Sequence, residues 1–310
     1  QWFCYVDSFD VHEPFHCPEP YASMYTDEDP ADTDLVDWPY YGRTDEGQSE
    51  LTDRQLAFVR AQFAGKVTMV DRWFGRVLDA LDETNAWDDT VVVVTSDHGH
   101  YLGEHGWVGK PEAPLYNVLA HTPLLVHHPD ADGRRVDALT TAVDLYATVL
   151  DFLDLDADRR HSRSLAPLVR GERATHRDWA LYGYWGSSVN VTDGEYTYLH
   201  PCEESVDAYC HSTEMMNALG WFAPREPNPD AEAGDFLPYT DSPVWRYPAP
   251  SAGRHDEPML FDVGADPEQE DDLAGEGHPE EARMRSLLVE ALDDLGAPDN
   301  QFERLGLRGE

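Results

Sequence analysis

A chain of 310 residues, 41% of them hydrophobic, is long enough to bury one large core with a smaller subdomain appended. Its 22 basic and 61 acidic residues give a net charge of −39, and it has no basic stripe that could release counterions, which argues against nucleic-acid binding. No apolar run approaches the roughly 20 residues that span a bilayer.

The acidic residues are spread along the whole chain rather than gathered in one tail. An even excess of carboxylates is typical of proteins that stay solvated in high salt, where a Debye length of about 3 Å at 1 M screens their repulsion. We therefore expect a protein from a salt-adapted organism. Its cellular location cannot be read from these residues, although a cytoplasmic one is slightly favoured.

The chain opens on an apolar and aromatic stretch, Trp2 to Phe9, which predicts a buried strand. The carboxyl end of this strand would deliver the loop Asp10 to Pro14. Neither an initiator Met nor a charged leader precedes it, so we expect the chain to begin inside a fold. Residues 17–48, rich in Pro, Asp, Gly and Tyr, are predicted to form a long surface loop.

The clearest helix follows this loop. Thr52 can cap its amino end, and Gln55, three residues on, completes a capping box. Apolar residues then recur at helical spacing for about 30 residues, to Asn85.

The next elements alternate between strand and helix. The β-branched run Thr90 to Thr95 is typical of a fully buried parallel strand. Pro123 to His128 is predicted to be a short strand and Asp144 to Leu153 an amphipathic helix. This order predicts an α/β fold with a mostly parallel sheet flanked by helices.

The sequence changes in character near residue 178. Short antiparallel strands joined by Gly and Asp turns are predicted next, at Trp179 to Trp185, Val189 to Thr192 and Tyr196 to Leu199. A loop-like region, 201–258, and a last helix, Pro279 to Leu295, follow. The expected organisation is an α/β domain over residues 1–178 and a smaller α+β subdomain over residues 179–310.

The strongest chemical signal, Ser96-Asp97-His98-Gly99, comes directly after the valine-rich strand. Ligands gather at the carboxyl ends of strands in open parallel sheets. Asp97 and His98 could there supply an oxygen and a nitrogen to a divalent ion, and Gly99 would let the backbone turn. A polar turn with a capping Asp is the alternative.

Two further residues could complete an anion site. Lys110 lies 12 residues after His98, close enough for its loop to fold back over the strand end. A metal ion and an ammonium would form a pocket suited to a tetrahedral oxyanion. His12, after the first strand, could bind the transferred group or protonate a leaving oxygen, or could simply be a loop histidine.

The remaining lysine and the cysteines give weaker signals. Lys66 is one of only two lysines, and we interpret it as a chance survivor on the long helix. The four cysteines have no C-x-x-C metal spacing. Cys202 and Cys210 could pair, or could remain free thiols.

Several motifs in this order resemble the sulfatase family of the alkaline phosphatase superfamily. Residues 95–106 with Lys110 look like the second metal-binding motif of sulfatases and of related phosphonate and phosphate ester hydrolases, in the subset that has Asp-His. Residues 9–14 resemble the loop that carries a substrate-binding histidine. Weaker matches follow at residues 121–126, 143–145, 164–168 and 259–267.

The resemblance implies an alkaline phosphatase-like fold and the hydrolysis of sulfuric esters. Residues 1–178 would be the C-terminal part of the catalytic domain. Asp97 and His98 would ligate the catalytic ion, Lys110 would bridge sulfate oxygens and the leaving group, and His12 would contact the ester oxygen. Ca²⁺ is the expected ion because it prefers oxygen ligands, while the imidazole keeps Mn²⁺ open.

The resemblance also shows what this sequence lacks. Sulfatases use a cysteine, oxidised to formylglycine, within Cys-x-Pro-x-Arg, and neither Cys4, Cys17, Cys202 nor Cys210 fits that signature. The nucleophile and the paired aspartates of the family's metal site are expected upstream of Gln1. We therefore expect a fragment, or half of a split enzyme completed by a separate chain, without turnover on its own.

Two alternatives remain open. The same fold could act on phosphate or phosphonate esters, since these anions are also tetrahedral. The chain could instead be a non-catalytic relic with a vestigial metal site.

Overall fold

The computed structural model describes residues 2–111, 113–213, 228–237, 240–249, 251–275 and 277–308. The chain separates into two units, Gln1–Arg177 and Asp178–Glu310. No helix among the described residues is both long enough and apolar enough to cross a membrane.

The described residues of the first unit form four α-helices and five strands. The helices are α1 (Asp53–Thr84), α2 (Asn117–Ala120), α3 (Asp144–Phe152) and α4 (Ala166–Val169). The strands are β1 (Gly42–Arg43), β2 (Val92–Thr95), β3 (Tyr101–Leu102), β4 (Trp107–Gly109) and β5 (Leu124–His127).

The long helix α1 has the predicted amino end. The Thr52 hydroxyl accepts a hydrogen bond from the Gln55 amide at 3.2 Å, and the Gln55 side chain accepts one from the Thr52 amide at 2.9 Å. The helix ends at Asn85, whose left-handed backbone (φ 52°) directs its N–H back to the carbonyls of the last turn. Phe58 and Val59 are buried on its inner face.

The predicted parallel pairing is not found among the described strands. Strands β2 and β5 pair with each other antiparallel, with Val92 opposite His127 and Thr95 opposite Leu124. Every pairing among the described strands is antiparallel. A run of valines predicts a strand but carries no information about its partner's direction, so the prediction was correct for the strand and wrong for the pairing.

The predicted first strand is also wrong. Residues 2–9 form no strand and are exposed; Trp2 is 66% exposed and Tyr5 76%. An apolar run favours a strand only where a neighbouring strand supplies hydrogen bonds, and none of the described strands pairs with this segment.

In the second unit, the part of the chain that the structure describes forms two sheets and two helices. One sheet has the order β12-β8-β7-β6, with β6 (Ala180–Gly183), β7 (Val189–Thr192), β8 (Tyr196–His200) and β12 (Met259–Asp262). The other has the order β10-β11-β9, with β9 (Ala208–Ser212), β10 (Glu232–Gly234) and β11 (Val244–Ala249). The helices are α5 (Pro279–Asp294) and α6 (Asp299–Arg304).

The antiparallel strands and closing helix of this unit were predicted, whereas the second sheet was not. The region 201–258 was expected to be loop, yet β9 and β11 pair over five residue positions, from Ala208 opposite Ala249 to Ser212 opposite Trp245. The region was predicted to be loop because proline and glycine are typical of loops, and this composition gave no indication of the strands. Residues 214–227 of the region lie outside the described residues.

An apolar core supports the second unit. Val191, Tyr198 and Leu260 from the larger sheet pack with Met284 and Leu288 of α5. All four cysteines of the chain are free thiols, so Cys202 and Cys210 do not pair.

Candidate active site

A short hairpin places Lys110 close to the residues that follow strand β2. Strands β3 and β4 pair with Tyr101 opposite Gly109, so the chain reverses over residues 103–106 and Lys110 returns beside His100. Gly109 is required here, because a side-chain carbon on it would lie 2.2 Å from the Tyr41 ring. That ring lies 5.9 Å from the Lys110 ammonium.

The structure brings Lys110 and His12 together. The Lys110 ammonium lies 2.9 Å from Nε2 of His12, although 98 residues separate them in sequence. An ammonium can only donate, so Nε2 accepts this hydrogen bond. His12 Nδ1 lies 2.7 Å from the carbonyl oxygen of Glu13, which can only accept, so Nδ1 carries the proton. The contacts therefore define a neutral His12 with its Nε2 lone pair directed at Lys110.

Glu13 lies directly behind this pair. Its carboxylate is only 2% exposed, with Oε1 3.4 Å from the Lys110 ammonium and Oε2 3.5 Å from His12 Nδ1. Sequence reasoning gave Glu13 no role. Its only signal was its position beside His12, in a motif that was interpreted through the histidine alone.

Lys66 anchors the loop that carries His12. Its ammonium donates to the Asp10 carboxylate at 2.5 Å and to the His12 carbonyl at 2.8 Å, and the side chain is 7% exposed. The interpretation of Lys66 as a chance survivor is wrong. The scarcity of lysine was the available signal, but its partners lie more than 50 residues away in sequence.

We expect Lys66→Met to lower the free energy of unfolding by about 1.5–3 kcal/mol, the usual range for hydrogen bonds to charged groups. The His12 carbonyl would lose the hydrogen bond from the Lys66 ammonium, whereas the Asp10 carboxylate, which is 36% exposed, can be solvated by water. Urea unfolding at constant salt measures the change. Arg72→Met on the exposed face of α1 is the control. Equal stabilities of the two variants would contradict this anchoring role.

Asp97 and His98 lie next to each other at the end of β2. Oδ2 of Asp97 is 3.4 Å from Nε2 of His98, and Oδ1 of Asp97 accepts from the His98 amide at 2.9 Å. Both side chains are exposed, at 83% and 45%. The adjacent Gly99 is needed because its backbone packs closely against the backbone of Val118, rather than because the chain turns there. A side-chain carbon on Gly99 would lie 1.9 Å from the Val118 carbonyl oxygen.

This pair offers two suitable metal donors and no more. Donors bound at about 2.1–2.4 Å to one ion lie roughly 3–3.5 Å apart when adjacent, which agrees with the 3.4 Å separation. Among the described residues, however, no group of three or more His, Cys, Asp and Glu side chains is arranged to hold a metal ion. Asp97 and His98 fit part of a coordination sphere.

His100 is a largely buried histidine two residues after His98. It lies 3.8 Å from the Glu13 carboxylate, and its ring packs edge-on against buried Phe15. Burial is the main cause that lowers the pKa of His100 to about 4; the Glu13 carboxylate opposes the shift, and Lys110, His98 and His12 add to it. The His105 ring stacks on Tyr116, with ring centroids 3.8 Å apart.

The comparisons with known proteins agree with this fold. The sulfatase family model matches residues 1–155, half of the chain. The chain is 29% identical over 205 residues to a multifunctional alkaline phosphatase superfamily protein of Trinickia caryophylli, covering 57% of this chain and 39% of that protein. It is 32% identical over 163 residues to the N-acetylglucosamine-6-O-sulfatase of Bacteroides thetaiotaomicron, covering 52% and 27%.

Solved structures show the same fold. The phosphonate monoester hydrolase of Agrobacterium radiobacter superposes with a TM-score of 0.59 at 22% identity, over 93% of this chain and 55% of that one. The fold is therefore the α/β fold of alkaline phosphatase-like hydrolases. The chain belongs to the sulfatase family, and it spans less than half the length of the two relatives described above.

Proposed function

We propose that the whole protein is a metal-dependent sulfuric ester hydrolase to which this chain contributes His12, Lys110, Asp97 and His98. The observation that carries the proposal is the 2.9 Å contact between the Lys110 ammonium and His12 Nε2, which joins a cation and an imidazole in one site. The sulfatase relatives support sulfate esters as substrates.

Asp97 and His98 would hold the divalent ion, whose chemistry when bound is Lewis-acid stabilisation of the ester oxygens. Ca²⁺ suits the carboxylate, and Mn²⁺ suits a mixed oxygen and nitrogen donor set. The adjacent carboxylate and imidazole support this assignment.

Lys110 and His12 would act on the substrate directly. The Lys110 ammonium would donate hydrogen bonds to the sulfate oxygens as their charge grows. His12 Nε2 would lie at the ester oxygen; with a proton taken from solvent before the ester binds, it would pass that proton to the leaving alkoxide. Lys66 would hold the His12 backbone in place during these steps.

The nucleophile is proposed to be the formylglycine of the family rather than any cysteine of this chain. Burial raises the pKa of the Cys17 thiol, and the thiol contacts the Gln62 side chain. A buried thiol with a raised pKa is a poor nucleophile.

Hydrolysis of an aryl sulfate by the protein expressed from its whole gene tests the proposal. We expect turnover that is lost on chelation and restored by Ca²⁺ or Mn²⁺, because chelation removes the ion from Asp97 and His98. Hydrolysis of an aryl phosphonate without hydrolysis of the sulfate would instead favour a phosphonate hydrolase. Hydrolysis of neither ester by metal-loaded protein would contradict an enzymatic role.

A further inference from the structure

We propose that Glu13 makes the site selective for esters with a single negative charge, by offsetting part of the charge of Lys110. The inference rests on the proposed function, and it assigns the choice among tetrahedral anions to a residue of this chain. Sulfate monoesters carry one charge, whereas fully ionised phosphate monoesters carry two.

The first step is the burial of Glu13. Its side chain is 2% exposed, and Oε1 makes no hydrogen bond to any described residue. The Lys110 ammonium lies 3.4 Å away and compensates the Glu13 charge. A charge that is screened so little by water acts strongly on anything bound nearby.

The second step is the competition between attraction and repulsion. An anion that contacts Lys110 also lies within a few ångströms of the Glu13 carboxylate. The favourable energy of an anion in the resulting potential grows in proportion to its charge, while its desolvation cost grows with the square of that charge. When Glu13 weakens the electrostatic potential, the remaining attraction can therefore offset the desolvation free energy of a monoanion more fully than that of a dianion.

The third step is a quantitative consequence. Removing the Glu13 charge raises the potential at the anion, and a dianion gains twice the energy that a monoanion gains. If the affinity for a monoanion rises about tenfold, the affinity for a matched dianion should rise about a hundredfold. The fold-change in dianion affinity should thus be the square of the fold-change in monoanion affinity. A change in the shape of the site would not produce this relation, so the relation identifies an effect of charge.

The test compares benzenesulfonate with phenylphosphonate, which share a phenyl group but carry one and two charges when the phosphonate is fully ionised. Calorimetric titrations at constant salt, with Ca²⁺ present, give both affinities. We expect the unaltered protein to bind the sulfonate about tenfold or more tightly than the phosphonate. In Glu13→Gln, the ratio of the sulfonate affinity to the phosphonate affinity should fall by about tenfold, which would reduce or reverse the preference. Glu19→Gln removes an equal charge from an exposed side chain and is the matched control.

Each outcome is decisive. An unchanged preference in Glu13→Gln, or the same change in Glu19→Gln, would overturn the role of Glu13 while leaving the proposed function intact. If Glu13→Gln does not fold, the unaltered protein still decides, because equal affinities for the two ligands would overturn the inference. Failure of the unaltered protein to bind either ligand would overturn both the inference and the anion site itself.

Discussion

Replacing Lys110 with glutamine is expected to lower kcat/KM for an aryl sulfate by about a hundred- to a thousandfold in the whole protein. The substitution removes the ammonium that would stabilise the developing oxyanion, and it leaves Glu13 buried without the ammonium that lies 3.4 Å from it. Because the stabilisation grows in the transition state, most of the loss should appear in kcat rather than in KM.

Steady-state kinetics with Lys110→Gln and a control variant would measure this effect. Arg76→Gln removes an equal charge from a side chain that is 73% exposed, so it should leave kcat/KM nearly unchanged. A loss of less than threefold for Lys110→Gln would exclude the proposed role of Lys110. Equal losses in both variants would point to the overall charge of the protein instead.

Replacing Asp144 with asparagine is expected to lower the free energy of unfolding by about 3–5 kcal/mol, the cost of breaking a buried ion pair from one side. Asp144 is fully buried at the amino end of α3 and accepts hydrogen bonds from the Arg177 guanidinium and the His176 ring. It also accepts from the backbone amides of Thr141 and Arg163. The amide would leave Arg177, whose side chain is 6% exposed, without a counter-charge.

The pH dependence gives a second readout. Burial raises the pKa of Asp144, but the Arg177 hydrogen bond and the backbone amides of Arg163 and Thr141 outweigh burial, so its folded pKa lies below the ordinary value. A lowered folded pKa stabilises the protein above the unfolded pKa of about 3.9, and the benefit disappears as the pH falls through the folded value. The stability difference between the two proteins should therefore shrink below about pH 4.

Urea unfolding across this pH range would test the prediction, with Asp137→Asn as the control. Asp137 also pairs with an arginine, but both side chains are more than 90% exposed, so its replacement should change stability by less than about 0.5 kcal/mol. A cost for Asp144→Asn as small as that of the control would show that the buried cluster contributes little.

The parts of the fold that the sequence predicted are those decided by neighbouring residues. The capping box at Thr52 and the apolar spacing of α1 are local, as is the turn between β7 and β8, where the Asp193 side chain accepts from the Tyr196 amide at 2.8 Å. These contacts span at most a few residues, so the residue types alone indicate them.

Features that depend on distant partners were missed. Strand β2 was predicted, but its antiparallel partner β5 could not be identified from a run of valines. In the candidate site, the residue types after β2 suggest metal donors from the sequence alone, and that assignment stays a prediction. The contacts of Glu13 and Lys66, in contrast, join residues 97 and 56 positions apart in the sequence. Such contacts become visible only when the chain is folded.

The hairpin between β3 and β4 makes the site sensitive to chain length. Because side chains alternate between the two faces of a strand, removing one residue between Gly103 and Gly106 would shift the register of Tyr101 against Gly109 and turn Lys110 to the opposite face. Variants with insertions or deletions in this turn would then lose the ammonium beside His12 while keeping every candidate residue. The number of residues in the turn is thus as much a determinant of the site as their identity.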